Sequence, residues 1–243
     1  VFLTIRKDNN IMRKKSISIV FWIALAICTL FVVYGAILPK QLEAITQNIT
    51  SFIAVNFSWY YLLLVLIIFF ICVYLLFSRY ASITLGVEGE EPEFSLLSWF
   101  AMLFSAGMGI GLVFWTTAEP VSHAYKATPI HKIGTQAAIN DAFQFAFFHW
   151  GIHAWAVYGI VALVFAYFNF HKGYPGLVSA TLVPIFGEKR MRGPIGSAID
   201  VLAVIATVTG VAATLGFGAL QINEGLHYLF KVPSHFGTQV III

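Results

Sequence analysis

The chain has 243 residues, of which 59% are hydrophobic and only 10% are charged, and its mean hydropathy is +0.85. Soluble domains carry about 25% charged residues, so this composition excludes a soluble domain and indicates an integral membrane protein. The net charge of +3 is small and the basic residues flank apolar segments, which argues against a nucleic-acid-binding protein.

Apolar segments long enough to cross a bilayer recur along the chain. We predict five complete membrane-spanning helices, with the start of a sixth at 238–243, so that the fold class is an all-α integral membrane protein. A shorter apolar stretch at 174–187 contains prolines and is predicted to be an interfacial or re-entrant helix, whereas 224–231 reads as an amphipathic surface helix. The five predicted spans are residues 17–38, 59–77, 96–118, 141–168 and 195–222.

Lys and Arg are distributed unequally between the two sides of these spans. The side that holds the N-terminus carries ten of them and the other side carries four. The positive-inside rule therefore predicts a basic cytoplasmic N-terminus over residues 1–16 and a multi-pass protein of the cell membrane. The first apolar run lacks the small-residue cleavage pattern of a signal peptide. Cys28 and Cys72 lie inside apolar segments and are predicted to be buried free thiols.

The third predicted span contains Gly107, Gly109 and Gly111 at alternate positions. Each costs a helix about 1 kcal/mol relative to alanine, so the pattern favours an interruption at mid-span. Hydrocarbon cannot solvate the freed backbone groups, and in secondary transporters such interruptions are where ions and substrate bind. The alternative is close helix packing through small residues. A dinucleotide-binding motif is disfavoured because no strand precedes the glycines.

The fourth predicted span carries aromatic residues that would share one face of a continuous helix. Trp150, Trp155 and Tyr158 fall within about 140° of each other at 100° per residue. A methylated ammonium ion donates no hydrogen bonds, so ring faces are its natural partners, each worth about 0.5–2 kcal/mol when desolvated. An aromatic packing face is the alternative.

Histidines and hydroxyls offer two further candidate sites. His149 and His153 are four residues apart, as metal ligands often are, but no third ligand is evident, and hydrogen bonding between helices is the alternative. In the fifth span, Asp200, Thr207 and Thr214 form a stripe of oxygen atoms at seven-residue spacing. Such a stripe suits Na⁺ or helix packing.

Acidic residues lie near the predicted membrane borders. Glu119 precedes Pro120 and is predicted to form a structural turn, whereas Asp141 is predicted to complement the dipole in the first turn of the fourth helix. Because no acidic residue falls at mid-bilayer, the sequence favours sodium coupling over a proton relay.

Together these motifs resemble the betaine–carnitine–choline transporter family. The resemblance covers residues 96–222 and is specific in combination rather than in any single motif. The matching residues are Gly107-Met108-Gly109-Ile110-Gly111 with Phe114 and Glu119-Pro120, His149-Trp150-Gly151-x-His153-x-Trp155 with Tyr158, and Ala198-Ile199-Asp200-Val201-Leu202 through Thr207 to Leu215-Gly216-x-Gly218-Ala219-Leu220-Gln221.

The resemblance implies a fold and an activity. Two peripheral helices, here 17–77, would precede a five-plus-five inverted repeat of the leucine-transporter type, of which 96–243 would be the incomplete first repeat. Family members move trimethylammonium compounds by sodium symport, proton symport or exchange. The resemblance also implies a homotrimer, with no catalytic residues and no cofactor other than a coupling Na⁺.

The resemblance also assigns site residues. Trp150, Trp155 and Tyr158 would form part of an aromatic box for the ammonium group. The glycine segment would meet the substrate through Gly107, Met108, Gly109 and Gly111. Backbone carbonyls near Ser105 and Met108 would hold one sodium ion, and Thr207 would contribute to a second.

Two positions refine the expected branch of the family. Choline-type, proton-coupled members tend to carry Asp where this chain has Gly111, so glycine resembles the betaine-type, sodium-coupled branch. Val211 stands where the family has a threonine of the second sodium site, although Thr209 is close.

The leading hypothesis is therefore the N-terminal part of an importer of glycine betaine or a related quaternary ammonium osmolyte. It would couple to sodium, work by alternating access and perform no covalent chemistry. Two other hypotheses stand beside it: a membrane-bound, histidine-dependent metalloenzyme, and a non-transporting subunit or remnant.

Overall fold

The architecture comes from a computed structural model, which describes residues 18–86, 89, 91–105, 110–128 and 130–242. Within these ranges the regular elements are helices and no strand occurs. The described helices are α1 Ile19–Ile37, α2 Pro39–Phe77, α3 Leu96–Leu103, α4 Ile110–Tyr125, α5 Gln136–His149, α6 Ile152–Ala166, α7 Val178–Thr181, α8 Val183–Phe186, α9 Glu188–Met191, α10 Pro194–Phe230 and α11 Phe236–Ile242. A 3₁₀ turn covers Arg79–Ser82 and a π turn covers Tyr167–His171.

Four described stretches are long and apolar enough to cross a membrane: Ile19–Ile37, Pro39–Phe77, Gln136–His171 and Pro194–Phe230. They agree with four of the predicted spans in position. The third predicted span is divided between α3 and α4, and residues 106–109 between these helices lie outside the described part of the chain. Its course through the membrane therefore stays a prediction.

The second helix begins much earlier than predicted. Pro39 ends α1 and at the same time occupies the first turn of α2, so that Leu38 alone separates the two helices. Proline suits both places because it lacks an N–H and its φ is already helical. The 39 residues of α2 extend for about 58 Å, which exceeds the roughly 30 Å of bilayer hydrocarbon. The polar residues before position 59, which interrupt the hydropathy pattern, are helical all the same.

The fifth predicted span also continues further than expected. Helix α10 runs without a break to Phe230, so the separate surface helix predicted at 224–231 was wrong. Lys231 ends it in the left-handed conformation, with φ of 57°. The His227 ring then donates from Nδ1 to the Val232 carbonyl at 2.8 Å, which stabilises the reversal of the chain.

The apolar stretch at 174–187 forms the short helices α7 and α8, which are tied to α10 by a buried carboxylate. Asp200 accepts hydrogen bonds from the Ser179 N–H at 2.9 Å and from its hydroxyl at 2.7 Å. Both residues are buried. A buried carboxylate that accepts two hydrogen bonds is satisfied, whereas an unpaired one would be strongly destabilising.

Asp141 has a similar role at α5. It lies in the second turn of α5, because that helix starts at Gln136 rather than at position 141, so the predicted first-turn placement was wrong. Its Oδ2 accepts from the His131 backbone N–H at 3.2 Å and lies 2.6 Å from the His131 Nδ1. Asp141 therefore secures the loop before α5 instead of complementing a helix dipole.

The helices approach each other through small side chains. Helix α4 packs on α5, α2 on α6 and α1 on α10. The buried apolar residues are mostly alanines, whereas large apolar side chains cover the exposed surface, as expected of a chain that faces lipid or further protein. Phe114 of α4 stacks on Phe217 of α10, with ring centroids 4.9 Å apart. Cys28 and Cys72 are free, as predicted, and half-buried.

Gly196 in the first turns of α10 offers a test of this packing. A Cβ built there would lie 1.8 Å from the Met191 carbonyl oxygen, a backbone atom that cannot move away alone. We expect Gly196→Ala to destabilise the protein by about 1–3 kcal/mol, measured as thermal unfolding in detergent. Gly225→Ala in the same helix meets nothing within 4 Å and serves as the control. Equal melting temperatures for the two variants would contradict this packing.

Candidate functional site

The fourth predicted span is interrupted between α5 and α6. Helix α5 ends at His149, and α6 begins at Ile152. Between them, Trp150 has φ −93° and ψ 13°, and Gly151 is extended, with φ −71° and ψ 177°. The continuous helix predicted over 141–168 was therefore wrong, and angular positions calculated across Trp150 do not apply.

Gly151 is the residue that permits this interruption. A Cβ on Gly151 would lie 3.1 Å from the Phe147 carbonyl oxygen and 3.1 Å from the ring of His153, so any larger residue would force a neighbour to shift. The turn is closed by hydrogen bonds from the Trp150 N–H to Ala146 and from the Gly151 N–H to Phe148. Hydropathy misses such a break because both flanking segments are apolar, and the single glycine is its only sequence signal.

A buried carboxylate of α4 faces the interruption. Glu119 is 7% exposed, and its Oε1 lies 2.8 Å from the His149 Nδ1. Its Oε2 accepts the indole N–H of Trp150 at 2.8 Å. His123, one turn further along α4, places its Nε2 3.5 Å from the same Oε1. The two contacts at 2.8 Å have the length of charge-assisted hydrogen bonds, which are the strong class.

Glu119 does not form the structural turn that the sequence predicted. Helix α4 continues through Pro120 to Tyr125, so the carboxylate projects from the middle of a helix. Its contact with His149 is a hydrogen bond between helices, which is the alternative that the sequence offered for this histidine. Sequence reasoning missed the contact because the two residues are thirty positions apart.

His153 lies on the other side of the interruption. Its ring centroid is 4.6 Å from that of Phe148. Because α5 ends at His149, the two histidines do not share a helix face, and the spacing argument for a metal site fails. Among the residues that the structure describes, no group of three His, Cys, Asp or Glu side chains is placed to hold a metal ion.

The predicted aromatic residues fall into two groups joined through the backbone of Trp150. Trp155 and Tyr158 lie on α6 with ring centroids 5.8 Å apart and planes tilted by 38°. They are exposed, at 37% and 71% of their surface. The Trp155 indole donates its N–H to the Trp150 carbonyl oxygen at 3.0 Å. The rings touch each other, so a cation would bind on their open faces rather than between them.

The Trp150 ring belongs to the second group, beside α4. With Trp115 and Glu119 it lines a hollow of about 480 Å³, whose remaining wall is formed by Ser122, His123 and His149. The three aromatic residues therefore do not form the single wall that a continuous helix would give. The indole N–H groups of Trp150 and Trp155 already have acceptors within the protein.

The glycine segment is only partly described. Gly107, Met108 and Gly109 lie outside the described residues, so their predicted contacts with substrate and sodium stay predictions. Gly111 lies in the first turn of α4, and a Cβ there would meet nothing within 4 Å. Ser105 lies two residues beyond the end of α3 and is exposed.

The residues of the oxygen stripe predicted on the fifth span have different hydrogen-bond partners. Asp200 is engaged with Ser179. Thr207 donates to the Ala203 carbonyl at 2.8 Å and Thr214 to the Gly210 carbonyl at 3.0 Å, both within α10. A hydroxyl that donates in this way keeps its lone pairs available to a cation. Thr207 also lines a largely apolar cavity of about 970 Å³ between α1, α7 and α10.

Long apolar helices, one of them interrupted beside buried polar groups, are features of α-helical membrane transporters. The family model described as BCCT, the betaine/carnitine/choline family transporters, matches residues 19–243. The chain belongs to this family, and the resemblance inferred from the motifs is confirmed. Membership in a family of transporters is at odds with the metalloenzyme alternative.

Named relatives include transporters of several osmolytes. The glycine betaine transporter OpuD of Bacillus subtilis is 54% identical over 229 residues, which are 94% of this chain and 44% of that protein. The ectoine/hydroxyectoine transporter of Virgibacillus pantothenticus is 42% identical, over 92% of this chain and 44% of the relative. The osmo-dependent choline transporter BetT2 of Acinetobacter baylyi is 37% identical, over 93% and 32% respectively. The chain thus spans less than half the length of these relatives.

The interruption at Gly151 generates a prediction. Gly151→Ala should destabilise the protein by about 1 kcal/mol, because the added methyl group crowds a backbone oxygen. It should also change the near-ultraviolet circular dichroism, because Trp150 is displaced. Gly159→Ala in α6 meets nothing within 4 Å and is the matched control. Unchanged spectra and melting temperatures for Gly151→Ala would contradict the close approach described here.

Proposed function

We propose that the intact protein imports glycine betaine or a related quaternary ammonium osmolyte across the cell membrane, coupled to sodium. The observation that carries the proposal is the 54% identity to a glycine betaine transporter over nearly the whole chain. The relatives named for choline and for ectoine support a substrate among small osmolytes that carry a positive charge.

The aromatic pair on α6 supports a quaternary ammonium substrate. The exposed rings of Trp155 and Tyr158 offer π faces, and the Trp155 N–H is already engaged with a backbone carbonyl. The pair therefore attracts a cation electrostatically and provides no indole donor for a polar solute. A trimethylammonium group matches this surface, since it carries a charge and lacks hydrogen-bond donors.

Sodium coupling is supported by two local features. The Thr207 hydroxyl keeps its lone pairs available, and Na⁺ is a hard cation that prefers oxygen ligands. Gly111 supplies no carboxylate that could carry a proton. Val211 contributes no side-chain oxygen, so a sodium ion at Thr207 would take its other ligands elsewhere, with Thr209 the nearest hydroxyl in sequence. Carbonyls near Ser105 and Met108 would form the other proposed sodium site.

Mechanism and assembly follow from the family resemblance. Transport would proceed by alternating access within an inverted-repeat core of the leucine-transporter type, of which 96–243 is the first part. Helices α1 and α2, within 17–77, would be peripheral to that core, and the basic segment 1–16 would be cytoplasmic. The intact protein would assemble as a homotrimer in the membrane.

Uptake of radiolabelled glycine betaine by cells that express the intact protein tests this proposal. We expect saturable uptake that is lost when the sodium ions of a choline-free buffer are replaced by potassium ions. Trp155→Ala should raise the apparent KM about tenfold or more, because a desolvated cation–π contact is worth up to about 2 kcal/mol. Uptake indifferent both to sodium and to Trp155→Ala would exclude the proposal.

Trp59→Ala is the matched control for this experiment. Trp59 is exposed on α2, and its indole donates to the Asn56 carbonyl of its own helix, so its removal tests the general effect of losing a large aromatic side chain. We expect this variant to keep the apparent KM of the unmodified protein.

A further inference from the structure

We propose that Glu119 is a positioning residue, which fixes the indole of Trp150 and through it the ammonium-binding rings of α6. The inference rests on the proposed function, because it assigns a task to a residue outside the aromatic site. Glu119 itself is assigned no contact with substrate; its two oxygens bind His149 and Trp150.

The carboxylate of Glu119 is buried, so it requires hydrogen-bond partners. A carboxylate that is 7% exposed must be compensated by hydrogen bonds, or it is strongly destabilising. Here His149 meets one oxygen and the Trp150 indole meets the other, each at 2.8 Å. Two acceptors at a fixed separation therefore hold the last residue of α5 and the first residue of the interruption.

Trp150 is connected in turn to the aromatic pair. The Trp150 side chain is bound to Glu119, and its carbonyl oxygen accepts the Trp155 indole N–H at 3.0 Å. Trp155 in turn contacts Tyr158. Hydrogen bonds thus run from α4 through the backbone of the interruption to the open ring faces of α6.

Helix α5 has other contacts that hold it in place, so Glu119 is not needed simply to attach it. Helix α5 is already held against its surroundings by the buried small residues Ala138 and Ala142 and by the contact of Asp141 with His131. Glu119 adds a directional contact at the one place where the backbone leaves the helical path. An interruption has fewer intrahelical hydrogen bonds than a helix, so the orientation of its side chains depends on such contacts.

The role depends on hydrogen-bond acceptors, which suggests a graded series of variants. Glu119→Met keeps the length of the side chain but accepts from neither partner strongly. Glu119→Gln keeps one oxygen for Trp150, and its amide group can donate to a His149 ring that carries its proton on the other nitrogen. Trp150→Phe keeps an aromatic ring but removes the donor.

Transport kinetics of these variants form the main test. We expect Glu119→Met to raise the apparent KM for glycine betaine about tenfold, as loss of a hydrogen bond to a charged group would, with little change in Vmax per protein at the surface. Glu119→Gln should restore most of the affinity. In the double variant with Trp150→Phe, the KM should equal that of Trp150→Phe alone, because both changes break the same contact.

Three results would overturn the inference. The first is a lower Vmax with an unchanged KM in Glu119→Met. The second is a double variant in which the KM increases of the two single variants multiply. The third is an unchanged KM in Trp150→Phe. The last of these applies even if Glu119→Met fails to reach the membrane. Glu43→Met is the matched control, since Glu43 is an exposed helical glutamate whose side chain accepts a hydrogen bond from Gln47 of its own helix, and it should leave KM and Vmax unchanged.

A second measurement does not depend on transport. In the intact protein labelled with ¹⁵N at its indoles, the Trp150 resonance, assigned through Trp150→Phe, should move in Glu119→Met and return in Glu119→Gln, and the Trp155 resonance should move with it. Unchanged chemical shifts of both indoles in Glu119→Met would overturn the positioning role, whatever the substrate is. An absence of saturable betaine uptake by the unmodified protein, with the resonances moving as expected, would refute the proposed function alone.

Discussion

A buried carboxylate holds together the interruption between α5 and α6. Glu119 projects from the middle of α4 and binds both sides of the point where the α5 backbone ends, through His149 and Trp150. The low dielectric around a buried group makes each of these contacts stronger than it would be in water, and makes loss of either one more costly. This arrangement and the extended Gly151 lie directly before the start of α6, which also packs on α2.

The helices themselves follow from a simpler constraint. In an apolar environment each backbone N–H and C=O must be paired, so the long apolar stretches of the described chain are helical, and hydrogen bonds with side chains satisfy backbone groups at three places where helices begin or end. Trp150 accepts through its carbonyl, Asp200 receives the Ser179 N–H at the start of α7, and His227 donates to Val232 where α10 ends. At these places the polar side chains form hydrogen bonds with backbone groups that no helix pairs.

Much of the fold was predictable because composition and hydropathy act over long stretches. The helical class, four membrane-suited stretches and the free cysteines follow from the pattern, and the motif combination identified the family. Helix ends were less predictable: Pro39 lies both after the end of α1 and in the first turn of α2, and the polar first half of α2 is helical although its hydropathy did not predict a span. The break at Gly151 has a single glycine as its sequence signal, and the partners of Glu119 are about thirty positions away in sequence, so periodicity reveals neither. The glycines at 107–109 lie outside the described residues, and their role stays a prediction.

The engaged N–H groups of Trp150 and Trp155 have a consequence for water. An indole with a free N–H retains a bound water molecule, which any arriving solute must displace. Here the two donors are occupied by a carboxylate and a carbonyl, so the ring faces of Trp155 and Tyr158 resemble a poorly wetted hydrocarbon surface with a negative potential. Removing water from such a surface costs little free energy. The remaining cost is the dehydration of the cation, which is smaller for a weakly hydrated cation than for a strongly hydrated one.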